Sequence, residues 1–339
     1  MKRKALITGI AGQDGAYLTQ LLISLGYEVH GTFRRNSTQE FYRLRELALL
    51  DRIKLHEVEL TEKYQLEELL RVNSFDEIYN LAAQSFVASS FNSPFYTFDV
   101  NTTSLLNLLE CIRRFSPETK LYQASTSEMF GKVQATPQNE DTPFYPRSPY
   151  GVSKLASHWM LVNYRESYDL FLSSGILFNH ESKFRGLEFV TKKITNAVAQ
   201  ISKGNLEHVF VGNLNAQRDW GFAGDYVEAM HLMLQQREPD DFVIGTGETH
   251  SIREMIEIAF EFIDIEISWE GTGLSEVGKD ASSDKILVKV SKEFFRPSEV
   301  DLLLADSTKA NKILGWTAKT EFKELICSMV EYDLNSIQS

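Results

Sequence analysis

Four residues of this chain have the types and spacing that proton and hydride chemistry requires. Tyr150 and Lys154 stand as Tyr-x-x-x-Lys, and Thr126 and Glu128 precede them in Ser125-Thr126-Ser127-Glu128. A lysine one helical turn from a phenol lowers its pKa by charge, so that the tyrosine can act as a base near neutral pH. A carboxylate such as Glu128 is a base when ionised and an acid when protonated, and Thr126 offers a hydroxyl to the same substrate oxygen. With 13 tyrosines in the chain, one Tyr-x-x-x-Lys is within chance. Read blandly, Glu128 is a surface carboxylate after a strand, and Tyr150 and Lys154 are a solvated helix pair. What separates the readings is the part of the chain that precedes them.

The chain opens on an apolar strand, Lys4 to Thr8, and a helix from Tyr17 to Leu25 that stops at Gly26. Gly9, Gly12 and Gly15 lie between them. Glycines at such a turn let the backbone bend sharply and let a pyrophosphate reach the helix N-terminus, where unpaired N–H groups favour negative charge. An ordinary glycine-rich turn is the plainer alternative. Tyr27 to Phe33 reads as a second strand, and an acidic residue at its end would hold a ribose 2′-hydroxyl. The chain instead places Arg34-Arg35-Asn36-Ser37 there, suited to fork onto a 2′-phosphate, which predicts NADP; a solvated basic loop is the alternative.

Strands follow at Ile53 to Leu60, Glu77 to Ser85 and Lys120 to Ser125, with helices at Leu105 to Arg114 and Tyr150 to Glu166. This alternation predicts an α/β fold, a doubly wound parallel sheet of Rossmann type with a smaller, discontinuous α/β domain. Binding sites in such sheets lie beyond the strand C-terminal ends, so Ser85, Thr126 and Glu128 are expected to face one cavity. Phe222 to Gln236 reads as an amphipathic helix and Phe242 to Gly245 as a strand that return the chain to the first lobe. The expected domains are therefore 1–175 with 221–247 for the cofactor, and 176–220 with 248–339 for the substrate. The stretch 271–290, with Gly273, Gly278 and clustered polar residues, reads as a loop or insertion.

Composition excludes several classes. A length of 339 residues at 43% apolar content supports more than one lobe. A net charge of −12 argues against a nucleic-acid or anionic-membrane binder. Cys111 and Cys327 form no zinc spacing, so no metal is expected. No apolar run approaches the roughly 18 residues that span a bilayer. No charged segment followed by an apolar one opens the chain, and a cytoplasmic protein with reduced thiols is expected.

Motifs along nearly the whole length resemble those of the extended short-chain dehydrogenase/reductases, and within them the GDP-mannose 4,6-dehydratase family. They include Gly9 to Gly15, Arg34-Arg35, Tyr122 to Glu128, Pro143 to Gly151, Gly175 to Ser182, Arg218-Asp219-Trp220-Gly221 and Arg296 to Asp301. The resemblance implies a cofactor site at Gly9, Gly12, Gln13, Asp14 and Gly15 of the first turn and at Arg34, Arg35, Asn36 and Ser37 after the second strand. It extends to Glu59 and Leu60, to Leu81, Ala82, Ala83 and Gln84, and to Tyr96, Lys154, His180 and Arg185. Ser85, Thr126, Glu128, Asn179, Lys193, Arg218, Arg296 and Glu299 match positions around a GDP-sugar. A lone His180 would otherwise read as a hydrogen-bonded core histidine.

The implied reaction loses water without net oxidation. Tyr150 takes the C4 hydroxyl proton as hydride leaves C4, Glu128 removes the C5 proton and protonates the departing C6 hydroxyl, and the hydride returns at C6. The resemblance also implies a homotetramer in which the loop Arg34 to Arg45 reaches a neighbour's cofactor. Lys183 stands where the family usually has proline, and Glu59 where an aspartate often lies near the adenine; Lys183-Phe184-Arg185 is expected near the diphosphate. GDP-D-glycero-α-D-manno-heptose is the alternative substrate, and epimerase or reductase chemistry the alternative reaction. A non-catalytic NADP sensor would have no need of Thr126, Glu128, Tyr150 and Lys154 together.

Overall fold

A computed structural model describes residues 2–37, 41–295 and 302–337. Among them, seven strands form a central sheet: β1 Lys4–Thr8, β2 Glu28–Phe33, β3 Lys54–Glu57, β4 Glu77–Asn80, β5 Lys120–Thr126, β6 Leu172–Leu177 and β11 Asp241–Ile244. All run parallel, in the order β11-β6-β5-β4-β1-β2-β3. Helices cover both faces, so a strand such as β1 is apolar at consecutive positions. Ala5 and Ile7 enter one core with α1 (Gln13–Ser24) and α9 (Ala223–Leu234), while Leu6 enters another with α3 (Lys63–Val72), α6 (Ser104–Phe115) and α7 (Pro149–Tyr168).

Between β2 and β3 lies α2 (Tyr42–Glu46). α4 (Val87–Asn92) and α5 (Pro94–Phe98) lead through a wide turn, Asp99–Thr103, into α6. Beyond β6 the chain adds smaller sheets. β7 (Asn179–Glu181) pairs with β10 (Trp220–Phe222), and β9 (Gln217–Arg218) lies between β12 (His250–Ser251) and β16 (Leu302–Leu303). β13 (Ile267–Glu270), β14 (Val277–Asp280), β15 (Ile286–Val290) and β8 (Val209–Val211) make a four-stranded sheet. That sheet shares an apolar core with α8 (Val190–Ser202), α10 (Ile252–Glu261) and α12 (Phe322–Ser336), while α11 (Thr308–Leu314) packs by β11.

Four elements differ from expectation, β3 among them, which ends at Glu57 rather than Leu60. α1 begins a turn early, at Gln13, because the end of the glycine-rich segment, Gln13-Asp14-Gly15, already belongs to the first helical turn. β4 ends at Asn80 rather than Ser85: the Thr8 hydroxyl accepts hydrogen bonds from the Leu81 and Ala82 N–H groups, both at 3.1 Å, drawing the chain out of the ladder. The 271–290 stretch is no loop. Leu287 and Val288 are buried, and Gly278, which reads as a turn, lies inside β14 because the Trp269 ring occupies the space that a side chain would need.

Gly15 has a comparable packing role in α1. A Cβ there would sit 2.6 Å from the Ile10 carbonyl oxygen, and backbone cannot yield as a flexible side chain can. Gly15→Ala is therefore expected to cost about 1–3 kcal/mol, read as a lowered thermal midpoint.

Candidate active site

The site is built on the C-terminal ends of the central strands. β1 runs into Gly9, and α1 starts after Gly12, which brings no side-chain cap to the helix N-terminus. The first helical N–H groups at that end lack an intrahelical partner and suit an anion.

β5 delivers Thr126, and a single tight turn, Ser127–Met129, delivers Glu128. The Thr126 hydroxyl caps that turn by accepting a hydrogen bond from the Glu128 N–H at 3.2 Å. α7 begins beside it, with Pro149 in its first turn and the Ser148 hydroxyl accepting from the Gly151 N–H at 3.0 Å. Gly151 decides how close the two can come, since a Cβ there would lie 2.8 Å from the Glu128 carbonyl oxygen. Tyr150 and Lys154 thus meet Thr126 and Glu128 with all four side chains buried. The buried face of α7 is held in turn by the wide turn: Asn101 donates to the Ser153 hydroxyl at 2.9 Å, and Thr102 donates to the Ser153 carbonyl at 2.8 Å.

Electrostatics here differ from the sequence reading. The Tyr150 phenol is pushed up to about 12, first by burial; the Thr126 hydroxyl pulls it down and the Glu128 carboxylate pushes it up. Burial lowers Lys154 to about 8, and its ammonium donates to the Ala124 carbonyl at 2.9 Å. Desolvation outweighs the activation expected from Lys154, because removing a phenolate from water costs more than the neighbouring dipoles return.

A cavity of about 1280 Å³ runs from the glycine-rich turn past these four residues to the smaller sheets. Gly9, Gly12, Gln13, Asp14, Gly15, Arg34, Glu59, Leu60, Leu81, Ala82, Ala83, Gln84, Ser85 and Tyr96 line its first half, and Asn179, His180, Arg185, Lys193 and Arg218 line the second. Arg34 is hydrogen-bonded to the Tyr96 hydroxyl. Arg35, Asn36 and Ser37 are exposed and do not line it, because the chain leaves the cavity wall after Arg34. Arg296 and Glu299 lie outside the described residues.

Some expected contacts have partners within the protein. Asp14 and His180 pair with each other at 2.8 Å. Lys193 lies over the Phe294 ring at 3.1 Å, and burial lowers its pKa despite Glu293 nearby. Lys183 points away from the cavity: its ammonium meets Glu46 of α2 at 2.7 Å and lies over the Phe184 and Tyr332 rings, while Phe184 is buried. Of Lys183-Phe184-Arg185, only Arg185 reaches the cavity, because the chain turns at Ser182, whose hydroxyl accepts from the Phe184 N–H at 3.1 Å.

Sequence reasoning passed over two residues that hold the walls. Arg43 donates to the Ala11 carbonyl at 3.0 Å and to the Phe184 carbonyl at 2.8 Å, tying the glycine-rich turn to the loop before Arg185; its place in the arginine-rich stretch was the available signal. Glu181, inside the Asn-His-Glu-Ser run, lines the cavity and pairs with Arg185 at 3.1 Å.

A family model described as GDP-mannose 4,6 dehydratase matches residues 6–329. Proteins named GDP-mannose 4,6 dehydratase from Dictyostelium discoideum and Homo sapiens are 50% and 48% identical, covering 100% and 99% of this chain and 98% and 92% of their own lengths. Among solved structures, a Thermus thermophilus UDP-glucose 4-epimerase in complex with NAD superposes with a TM-score of 0.80 at 25% identity, over 98% of this chain and 100% of that one. A Streptomyces venezuelae dTDP-glucose 4,6-dehydratase gives 0.83 at 20% identity, over 98% and 97%, a likeness of fold.

Proposed function

The chain belongs to the GDP-mannose 4,6 dehydratase family, and from that premise we propose that it converts GDP-mannose to GDP-4-keto-6-deoxymannose and water. The observation that carries this reading is the approach of α7 to the Glu128 turn permitted by Gly151, which gathers a phenol, an ammonium, a hydroxyl and a carboxylate at one cavity. An epimerase or reductase has no use for the last of these. Tyr150 holds and takes the proton of the C4 hydroxyl, with Thr126 sharing that oxygen. Glu128 takes the proton from C5 and delivers one to the leaving C6 hydroxyl.

The cavity fits a nicotinamide dinucleotide. Its floor is an uncapped helix N-terminus, and the buried Gln84 Oε1 beside it has no hydrogen-bond partner among the described residues. Bound there, the nicotinamide would accept hydride from sugar C4 and return it at C6. Gly9, Gly12 and Gly15 would admit the pyrophosphate, and Arg34, with no carboxylate at the end of β2, favours NADP. Arg34→Ala is expected to cost NADP roughly 1.5–3 kcal/mol relative to NAD, about ten- to a hundredfold in affinity, measured by titrating both cofactors into stripped protein.

The cofactor domain is assigned to 1–175 with 221–247 and the GDP-sugar domain to 176–220 with 248–339; the core around α8, α10 and α12 supports the second, although β6 runs on to Leu177 and Ala310, Leu314 and Trp316 pack in the core of the central sheet. The outward course of Arg35, Asn36 and Ser37 is compatible with a homotetramer in which this loop reaches a neighbour. No helix among the described residues is long and apolar enough to cross a membrane, and free Cys111 and Cys327 agree with a cytoplasmic setting. The test is incubation of purified protein with GDP-mannose and, separately, with GDP-D-glycero-α-D-manno-heptose, without added reductant. Loss of one water from GDP-mannose is expected; loss from the heptose alone would reassign the substrate, and loss from neither would overturn the reaction.

A further inference from the structure

Four charged groups lie together where α1, β7 and the loop after β7 meet, Glu181 buried and Asp14, His180 and Arg185 partly so. Asp14 Oδ2 lies 2.8 Å from His180 Nε2, and Glu181 Oε2 lies 3.1 Å from Arg185 Nε. The charge on His180 follows from its partners. Its Nδ1 faces the Phe178 carbonyl oxygen at 2.8 Å and its Nε2 faces the Asp14 carboxylate, so both ring nitrogens must donate. Two anions and two cations therefore balance.

Glu181 is the member least settled as an anion. It is 2% exposed, and burial holds its carboxyl above the usual range although Arg185 and the Thr191 hydroxyl, donating at 2.5 Å, oppose this. Asp14 is the reverse case: burial pushes it up, but His180 prevails and holds it below. The other titratable groups felt at Glu181 are His180 beside it, Asp14 of α1 and the Tyr226 phenol of α9. Arg185, half-buried, is bound loosely. Its guanidinium lies over the Phe189 ring at 3.5 Å and faces the cavity, and its Nε makes no aligned hydrogen bond to Glu181 despite the short distance.

We propose that Glu181 is a positioning residue that holds Arg185 and the first turn of α8 ready, and that it takes up a proton from solvent when Arg185 turns to an entering nucleoside diphosphate. This rests on the reading that the cavity takes a dinucleotide and a nucleotide sugar. The diphosphate adds negative charge to a balanced group in a poorly polarisable setting, and the carboxylate that loses its cation is the one that protonates. Asp14 keeps His180 and stays ionised. Binding is then tighter at lower pH, because the complex carries the additional proton.

Calorimetric titration in two buffers of equal pH and different ionisation enthalpy tests this, with NADP⁺ added to cofactor-stripped protein and GDP added to NADP-loaded protein. Uptake approaching about one proton per site is expected in the arm whose diphosphate meets Arg185, with affinity rising up to about tenfold per pH unit downward. Glu181→Gln, which keeps a partner for Thr191, is expected to bind with no such uptake; Arg185→Met should abolish it from the other side and serves if the first variant does not fold. Binding with uptake unchanged in the variants, or without uptake in either wild-type arm, overturns the proposal alone. No binding of either nucleotide overturns the functional reading as well.

Discussion

Glu128→Gln is expected to lose dehydration by about 10²–10⁴-fold while remaining folded and able to bind both nucleotides. Glutamine keeps the size of the side chain, and two contacts that place the turn are made by its backbone: the Glu128 N–H to the Thr126 hydroxyl and the close pass of Gly151 at the Glu128 carbonyl. What is lost is the group that can first accept a proton and then return it. Tyr150 and Lys154 are untouched, so removal of the C4 hydride should persist as a partial reaction. It would be visible as a single turnover of cofactor absorbance in loaded enzyme. Exchange of the C5 hydrogen with deuterated solvent should fall with the overall rate. An undiminished rate of water loss in this variant would remove Glu128 from the mechanism.

Tyr150→Phe should remove the earlier step and also reduce turnover by about 10²–10⁴-fold, with neither a cofactor absorbance change nor C5 exchange. The pH profile of the native protein bears on the same group. The phenol, pushed up to about 12 by burial, becomes a useful base only with positive charge close by, and Lys154 is lowered to about 8 by its own burial. A lysine with a depressed pKa is charged below it and neutral above it. Activity is therefore expected to fall as pH rises through about 8. Lys154→Arg, which stays charged through that range, should flatten the alkaline limb even where its different shape lowers the rate. A profile unchanged by that substitution would deny Lys154 its electrostatic part.

Local chemistry was readable where one short stretch both forms and uses an element. Lys4 to Thr8 is a strand because its successive residues suit a sheet covered on both faces, and its bounds agree with expectation. The strand end that bears Thr126 and Glu128, and the helix that bears Tyr150 and Lys154, follow from turn residues and periodicity in the same way. Reading failed where the deciding partner is distant. Nothing near Ala82 says that β4 stops at Asn80; Thr8 does, by taking two amide hydrogens. Nothing near Gly278 says strand; Trp269 does, by filling the space a side chain would need. Lys183 likewise looked like a cavity residue until Glu46 and Tyr332, remote in the chain, claimed it.

The residues alone determined the class of sheet, the glycine-rich turn before α1 and the types of group available for proton transfer, since these depend on side-chain chemistry and short-range spacing. Only the tertiary structure decided which charges neutralise one another and how far burial moves each pKa. Asp14 meets His180 because β7 is laid against the start of α1, whereas Glu181 and Arg185, four residues apart, are brought together by the local turn at Ser182 and balance that pair only through the same packing. Coulomb energy and desolvation depend on distance through space and on what excludes water, and neither quantity is a property of sequence separation.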